Sequence, residues 1–388
     1  MAIPLSYNLR NLIERKTTTV MTALGIGLSV AVMLGILGML AGLNSMFQAT
    51  GHPLHLLLLR KGSNAEVTSI ITPENLQVVR GKEGILAAQG EPMISHELVT
   101  VVNLAIKGRT GTTNVNVRGM PQVGVRMRSE SVKLSSGRWF AAGQRELTVG
   151  RAAAQTYAQL GSGAQVQIGR AHYTVVGVFD GGQTAFNSEI WGDGNQLGAD
   201  AGRAGSLSSI LIRAADAAAA AGLIRSIAAD QRLIVEAMPE IEYYLRQMQS
   251  GLLLQYLGIF VAIVMAVGSS FAAMNTMYAA VARRGREIGV LRVLGFSRPS
   301  ILASFMIEST LLSLVGGALA CLATLPFNGF TNRLANQVTF SQVLFEFQVT
   351  PAMLAVGMGF AALMGLLGGL LPARLAAGKD PLTALREL

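Results

Sequence analysis

Four stretches of this sequence stay apolar for longer than a strand or an amphipathic helix of a water-exposed domain needs. The first is "VMTALGIGLSVAVMLGILGMLAGL" (20–43), inside a run from 17 to 59 that has no charged residue. The second is charge-free from 247 to 282, the third is "ILASFMIESTLLSLVGGALACLATLP" (301–326), and the fourth is "PAMLAVGMGFAALMGLLGGLLP" (351–372). Each reaches the roughly 20 residues a helix needs to cross about 30 Å of hydrocarbon. The pattern predicts a membrane protein with four transmembrane α-helices: 19–44, one within 241–282, 301–326 and 351–372.

Between the first and second spans the period changes. "HPLHLLLLR" predicts a strand and "TPENLQVV" a short helix behind a Thr-Pro cap, while "PMISHELVTVVNLAIKG" and "TTNVNVRG" predict two strands around a turn. Later come a strand in "SSILIRA", a helix in "ADAAAAAGLIRSIAADQ" and a strand in "LIVEAM". Two βαβ units separated by an insertion are the order of a split ferredoxin-like layer. This predicts a large α+β domain at 45–240, with an insert lobe at about 120–205. Inside the lobe, Gly169-Arg170 joins "AQVQI" to "AHYTVVGVF" as a hairpin turn, with Ala164, Val166 and Ile168 on one face.

From 239 to 282 nothing interrupts a helical reading. Forty-odd residues would extend about 65 Å, twice the hydrocarbon thickness. Glu240, Glu242 and Arg246 do not belong in lipid. The second span at 241–282 is therefore expected to begin as a stalk outside the membrane. The alternative is a short amphipathic helix that ends at Gly251.

Composition agrees: 51% of residues are hydrophobic, 14% are charged, and the mean hydropathy is +0.45. Arg10, Arg15 and Lys16 before the first span, the arginines between the second and third, and Arg374, Lys379 and Arg386 after the fourth place these segments inside. The 45–240 domain is then extracytoplasmic, in a multi-pass membrane protein with both termini cytoplasmic. A cleaved signal peptide at the N-terminus would need a shorter apolar core and a small-residue cleavage site. Leu5, Leu9, Leu12 and Ile13 line one side of an expected interfacial helix at 1–18. The net charge of +9 lies mostly at the cytoplasmic face, which suits membrane lipids and protein partners and gives no basis for nucleic-acid binding. Cys321 is the only cysteine, so the external domain is expected to fold on its core without disulfides.

The connector at 283–300, "RRGREIGVLRVLGFSRPS", packs five arginines and one carboxylate between two spans. Ile288, Leu291 and Leu294 recur at helical spacing, Arg286, Glu287 and Arg292 supply charge around them, and Gly295 suits a helix C-terminus. A loop that only fixes topology would need the arginines but neither the apolar stripe nor Glu287. Such a helix suits docking into a groove on a soluble partner.

This region, "RRGREIGVLRVLGFSRPSILASFMIESTLLSLVGGALA", resembles the signature of the FtsX/MacB-type (type VII) permease family of ABC transporters. "NLRNLIERKTTTVMTALGIGLSVAV" near the N-terminus, "LPARLAAGKDPLTALREL" near the C-terminus, and "GRWF" with "RELTVGRAAAQ" in the insert are similar to its pattern. The resemblance implies a porter/Sabre-like external domain, a permease dimer (homodimer or paralogue), and cytoplasmic ABC ATPase subunits docked on a coupling helix. It places that coupling helix on Arg283, Arg284, Arg286, Glu287, Ile288, Gly289, Leu291, Arg292, Leu294 and Gly295. It further implies mechanotransmission, the relay of ATP-driven closure through the membrane as mechanical work. The sequence has no G-x-x-x-x-G-K-[ST], unlike the family's macrolide exporters with their fused ATPase, so ATP and Mg are expected in a partner and no cofactor in this chain.

Other candidates are weighed against plainer roles. His52 and His55 form H-x-x-H, but in a strand this spacing points them to opposite faces, and two ligands leave a zinc site incomplete. Glu308 sits about 12 Å into its span, either locking helix ends together or as a tolerated near-surface acid. Gly38 with Gly42, and Gly365 with Gly369, allow close helix contact and hence a dimer interface. No catalytic or metal constellation stands out. The expected function is export or extraction of an envelope amphiphile (lipoprotein, peptide or drug), with a periplasmic adaptor or lipoprotein carrier as a further partner. The alternative is a non-transporting transducer that regulates an envelope enzyme.

Overall fold

The computed structural model describes residues 16–88, 90–108, 110–247, 249–336 and 341–378. The interfacial stripe at Leu5, Leu9, Leu12 and Ile13 and the tail beyond Gly378 lie outside the described residues. The chain forms two compact units: a helical unit of residues 1–41, 253–330 and 347–388, and an α+β unit of residues 42–252 and 331–346.

The helical unit is built on four helices long and apolar enough to cross a membrane. They are α1 (Lys16–Thr50), α8 (Gln249–Arg283), α10 (Arg298–Thr324) and α11 (Pro351–Gly378), with the short α9 (Gly285–Val293) between α8 and α10. At 35 residues, α1 runs about 50 Å and outlasts the hydrocarbon. Packing here depends on missing side chains. A Cβ at Gly316 would strike the carbonyl of Ala23, one at Gly357 would strike Leu34, and one at Gly369 would strike Ser309. The same holds for the glycines weighed as a dimer contact. A Cβ at Gly38 would meet the Phe347 ring, at Gly365 the Ser313 hydroxyl, and at Gly42 the Glu346 carbonyl. These glycines are used up inside the chain, since backbones can approach this closely only where no side chain intervenes.

The α+β unit carries one ten-stranded sheet. Its strands are β1 (His55–Arg60), β2 (Ile94–Ala105), β3 (Thr112–Met120), β4 (Lys133–Gly137), β5 (Glu146–Gly150), β6 (Gln165–Ile168), β7 (Ala171–Asp180), β8 (Ile190–Asp193), β9 (Ser209–Arg213) and β10 (Val235–Pro239). The order is β10-β1-β9-β2-β3-β8-β5-β7-β4, with β6 paired to β7. The first four strands of that path are antiparallel and, with α2 (Pro73–Arg80) and α6 (Ala217–Ala229), make the ferredoxin-like arrangement. β2 belongs to both halves: Ile94–Glu97 pair with β9, and the rest of the strand pairs with β3. The insert lobe thus continues the sheet, and adds α3 (Gln122–Met127), α4 (Arg151–Thr156) and α5 (Gly194–Asp200). Each half has its own core, one around Leu56, Ile210, Ile212 and Leu223, the other around Val115, Val117, Leu147 and Tyr173. In the β6–β7 hairpin Val166 and Ile168 are buried and Gln165 and Gln167 exposed, with Gly169 at φ +58 in the turn.

One expectation needs correction. The 327–350 segment, which the spacing of the third and fourth spans predicts as a short extracytoplasmic loop, is more than that. It forms the hairpin β11 (Thr331–Asn336) and β12 (Ser341–Glu346), which belongs to the α+β unit, where the Leu344 N–H donates to Ser188 Oγ at 3.2 Å. Val343, Leu344 and Phe345 are all buried there, which supplies the reason: a run this apolar needs a core. Within 239–282 the described helical residues are α7 (Glu240–Gln247) and α8, and Met248 between them lies outside the described residues.

Candidate functional site

The connector between the second and third long helices folds as expected of a short helix with a defined end. Past α9, Gly295 has φ +93; its N–H donates to the Arg292 carbonyl at 3.1 Å, and the Phe296 N–H to the Leu291 carbonyl at 3.1 Å. These two bonds form a Schellman motif, which satisfies carbonyls the helix end would otherwise strand.

The helix has two unlike sides. Inward, Ile288 is 2% exposed and packs with Met277, Val281, Ile301 and Phe305. Gly289 is buried, and Leu291 and Arg292 are half-buried. Arg284, just ahead of α9, is buried and donates from Nη1 to Glu308 Oε2 at 2.8 Å. Outward lie Arg283, Arg286, Glu287, Val290, Val293 and Leu294, the last two 64% and 65% exposed. The expected stripe of Ile288, Leu291 and Leu294 therefore does not share one face. Three-residue steps fall 60° short of a full turn each time, so the third member has left the side of the first. The apolar surface turned outward is Val290, Val293 and Leu294.

Glu308 is 5% exposed and paired with Arg284. It ties α10 to the turn between α8 and α9, and the pair neutralises two charges that would be costly alone.

The α+β unit holds a second charged centre, which the sequence reading missed. Arg118 on β3 is fully buried and donates to Glu66 from Nη1 at 2.7 Å and Nη2 at 2.9 Å, to Glu97 from Nη1 at 2.7 Å, and to Glu189 from Nε and Nη2 at 2.9 Å each. Arg128, after α3, donates to both oxygens of Glu97 at 2.6 and 3.0 Å and stacks 4.9 Å from the Phe186 ring centroid. Glu240, the first residue of α7, accepts from the His52 N–H at 3.1 Å and lies 2.9 Å from His55 Nδ1. Burial pushes the Glu97 carboxyl upward, but Arg128 and Arg118 outweigh it and hold the group near 2. The same reciprocity raises both guanidinium pKa values against burial. Glu97 ends the part of β2 that pairs with β9, so the centre sits where the two halves of the sheet meet. Burial also drives the phenols of Tyr243 and Tyr244, on α7 beside it, well up.

The histidine reading changes here. His52 precedes β1, so strand alternation does not apply to it, and its ring lies 4.6 Å from that of His55. Both serve the carboxylates Glu240 and Glu130. Among the described residues no group of three His, Cys, Asp or Glu is placed to hold a metal.

Residues 19–230 match the MacB-like periplasmic core domain, and residues 259–381 match the FtsX-like permease C-terminal family. The chain belongs to the FtsX/MacB-type permease family. Curated relatives include the macrolide export ATP-binding/permease protein MacB of Agrobacterium fabrum, 33% identical over 125 residues, which are 32% of this chain and 18% of that protein. The ABC transporter permease YknZ of Bacillus subtilis is 37% identical over 113 residues, 29% of this chain and 26% of that one. The chain thus spans about a fifth to a quarter of the length of these relatives. Among solved structures, the periplasmic region of MacB from Actinobacillus actinomycetemcomitans is similar at TM-score 0.36 and 12% identity, over 50% of this chain and 91% of that one. The extracellular domain of a YknZ transporter gives 0.33 and 16%, over 47% and 99%. In this permease family member, the four apolar helices and the α+β domain between the first two are the expected architecture.

The signal for the missed centre was present but weak. Glu97 and Arg118 each interrupt an apolar strand at a position whose neighbours are core. Their ionic partners lie 21 to 71 residues away along the chain.

Proposed function

We propose that this chain is the membrane subunit of an ABC transporter, placed in the bacterial inner membrane with both termini inside and the α+β domain outside. A separate cytoplasmic ATPase docks on α9, and its ATP-driven closure reaches the external domain as motion of the helices. The cargo is an envelope amphiphile (lipoprotein, peptide or drug) handled at the outer face, and two permease copies, identical or paralogous, form the working unit.

The observation that carries this reading is the two-sidedness of α9. One side is fixed to its own bundle by Ile288 and by the Arg284–Glu308 pair. The other offers Val290, Val293 and Leu294, flanked by Arg283, Arg286 and Glu287, at a place where a solitary chain gains nothing from exposed apolar side chains. Rigid attachment behind and an amphipathic face in front are what transmission of a push requires. In the family, this segment is the coupling helix.

The test is Glu287→Lys, at a 59% exposed side chain. The variant should insert and melt as the parent does. It should lose at least ten-fold in stimulation of the co-expressed ATPase. Full stimulation would remove the docking role from α9. Retention of an envelope amphiphile in cells lacking the gene would favour export, whereas a cell-wall defect alone would favour the transducer.

A further inference from the structure

Apart from its ionic centre, the α+β unit contains a cavity of about 250 Å³. Leu76 of α2, Leu98 of β2 and Leu207 supply apolar wall, and His96 and Arg203 supply polar atoms. The walls are held in place. Leu207 exchanges both backbone hydrogen bonds with Ile71, at 2.7 and 2.9 Å, and the Arg203 N–H donates to the Gly198 carbonyl at 2.8 Å. Gly205, at φ +75, lets the loop turn back toward β9.

The chemistry of this cavity is unbalanced. Arg203 donates to the carbonyls of Val99 and Ser69, at 3.0 and 3.3 Å, but has no carboxylate partner among the described residues. The buried guanidiniums of Arg118, Arg128 and Arg284 all have one. Burial lowers the Arg203 pKa with nothing to oppose it. His96 Nδ1 is buried with no hydrogen-bond partner. Burial first, then Arg80, holds this imidazole below its ordinary pKa, so the ring is neutral at pH 7. A preformed cavity with leucine walls and one cation that no carboxylate offsets is complementary to an anion on an apolar body.

We propose that this cavity binds a small apolar monocarboxylate, its carboxylate on Arg203 and its body among the leucines. Volume sets the class. An apolar cavity of about 150 Å³ accepts benzene, so this one takes roughly a ring with a short chain. The site lies between α2 and α5, on opposite sides of the junction in β2, so occupancy would tie the two halves of the domain together. The assignment does not rest on the transport reading.

The experiment is calorimetric titration of 3-phenylpropionate into the full chain in lipid nanodiscs, with empty nanodiscs subtracted and 3-phenylpropanamide as the neutral isostere. The acid should bind saturably at one per chain, and the amide at least ten-fold more weakly, the scale of a charge-assisted hydrogen bond. Arg203→Gln should weaken the acid at least ten-fold and leave the amide unchanged. Ala204→Trp, at an exposed position on the rim, should abolish binding of both without lowering the melting temperature. Absence of saturable binding by the acid overturns the proposal. So does equal binding of acid and amide, or binding that survives Ala204→Trp.

Discussion

Both units of this permease bury arginine against glutamate, but on different terms. The helical unit has one guanidinium and one carboxylate, Arg284 and Glu308. The α+β unit has two guanidiniums, Arg118 and Arg128, among four carboxylates, Glu66, Glu97, Glu189 and Glu240. In the pair, Arg284 has a second acid within reach, Glu287 at 4.0 Å. The centre is interlocked: Arg118 serves three glutamates, and Glu97 serves both arginines. Loss of Glu308 leaves Arg284 with only the more distant Glu287, whereas loss of Arg118 strands Glu66 and Glu189 and leaves Glu97 with Arg128 alone. A pair can therefore act as a clasp that closes and opens, while the larger centre acts as a fixed joint between sheet halves.

The largest effect should come from Arg118→Met. The volume is nearly kept, but Glu66 and Glu189 lose their only guanidinium among the described residues and Glu97 keeps one. Breaking a buried pair costs about 3–5 kcal/mol, and here the upper end or more applies. Limited proteolysis of the full chain should show the α+β unit cut at once, with the membrane helices still protected. A variant as resistant as the parent would mean that water reaches the centre.

Glu308→Gln should cost less, about 2–3 kcal/mol, because the amide still accepts from Arg284 and Glu287 lies nearby. Thermal unfolding in detergent measures it. If transport coupling falls while the melting temperature barely moves, the pair works as a clasp. A full stability loss equal to that of Arg118→Met would erase the distinction between the two centres.

Acid sharpens the comparison from another side. Glu97 has a depressed folded-state pKa near 2 against an unfolded value of about 4.3. Its contribution is whole above the unfolded value and drains away as pH falls toward 2. Stability of the α+β unit should therefore decline between about pH 4.5 and 2, and Glu97→Gln should flatten that decline at the expense of stability at neutral pH. An unchanged acid limb in the variant would place the proton uptake elsewhere.

How much of this was legible in sequence follows the range of the forces. The spans, the βαβ units and the Gly169-Arg170 turn depend on periodicity or local backbone chemistry, and the chain writes both within a few residues. The β11–β12 hairpin was hidden because its core is supplied by residues such as Ser188, more than 150 positions away. The ionic centre was hidden for the same reason: Arg118 looks like any strand arginine until β8 brings Glu189 beside it. The two sides of α9 were half legible. Helical spacing gave the helix, but it put Ile288 and Leu291 on one stripe with Leu294, and which side meets the bundle depends on where Glu308 pairs with Arg284.

The smallest effect concerns the turn that ends α9. Gly295 sits at φ +93, where a Cβ costs about 1 kcal/mol, and no heavy atom lies within 4 Å of where that Cβ would be. Gly295→Ala should therefore lower stability by that strain alone, without a clash. It shares no partner with the Arg284–Glu308 pair, so the double variant with Glu308→Gln should be additive within about 0.5 kcal/mol. Additivity would mean that the two ends of α9 are held independently, one by charge and one by backbone geometry. A coupling energy well above that limit would mean that the helix shifts as one piece when either end is loosened, and the pair could then no longer be separated from the surface it supports.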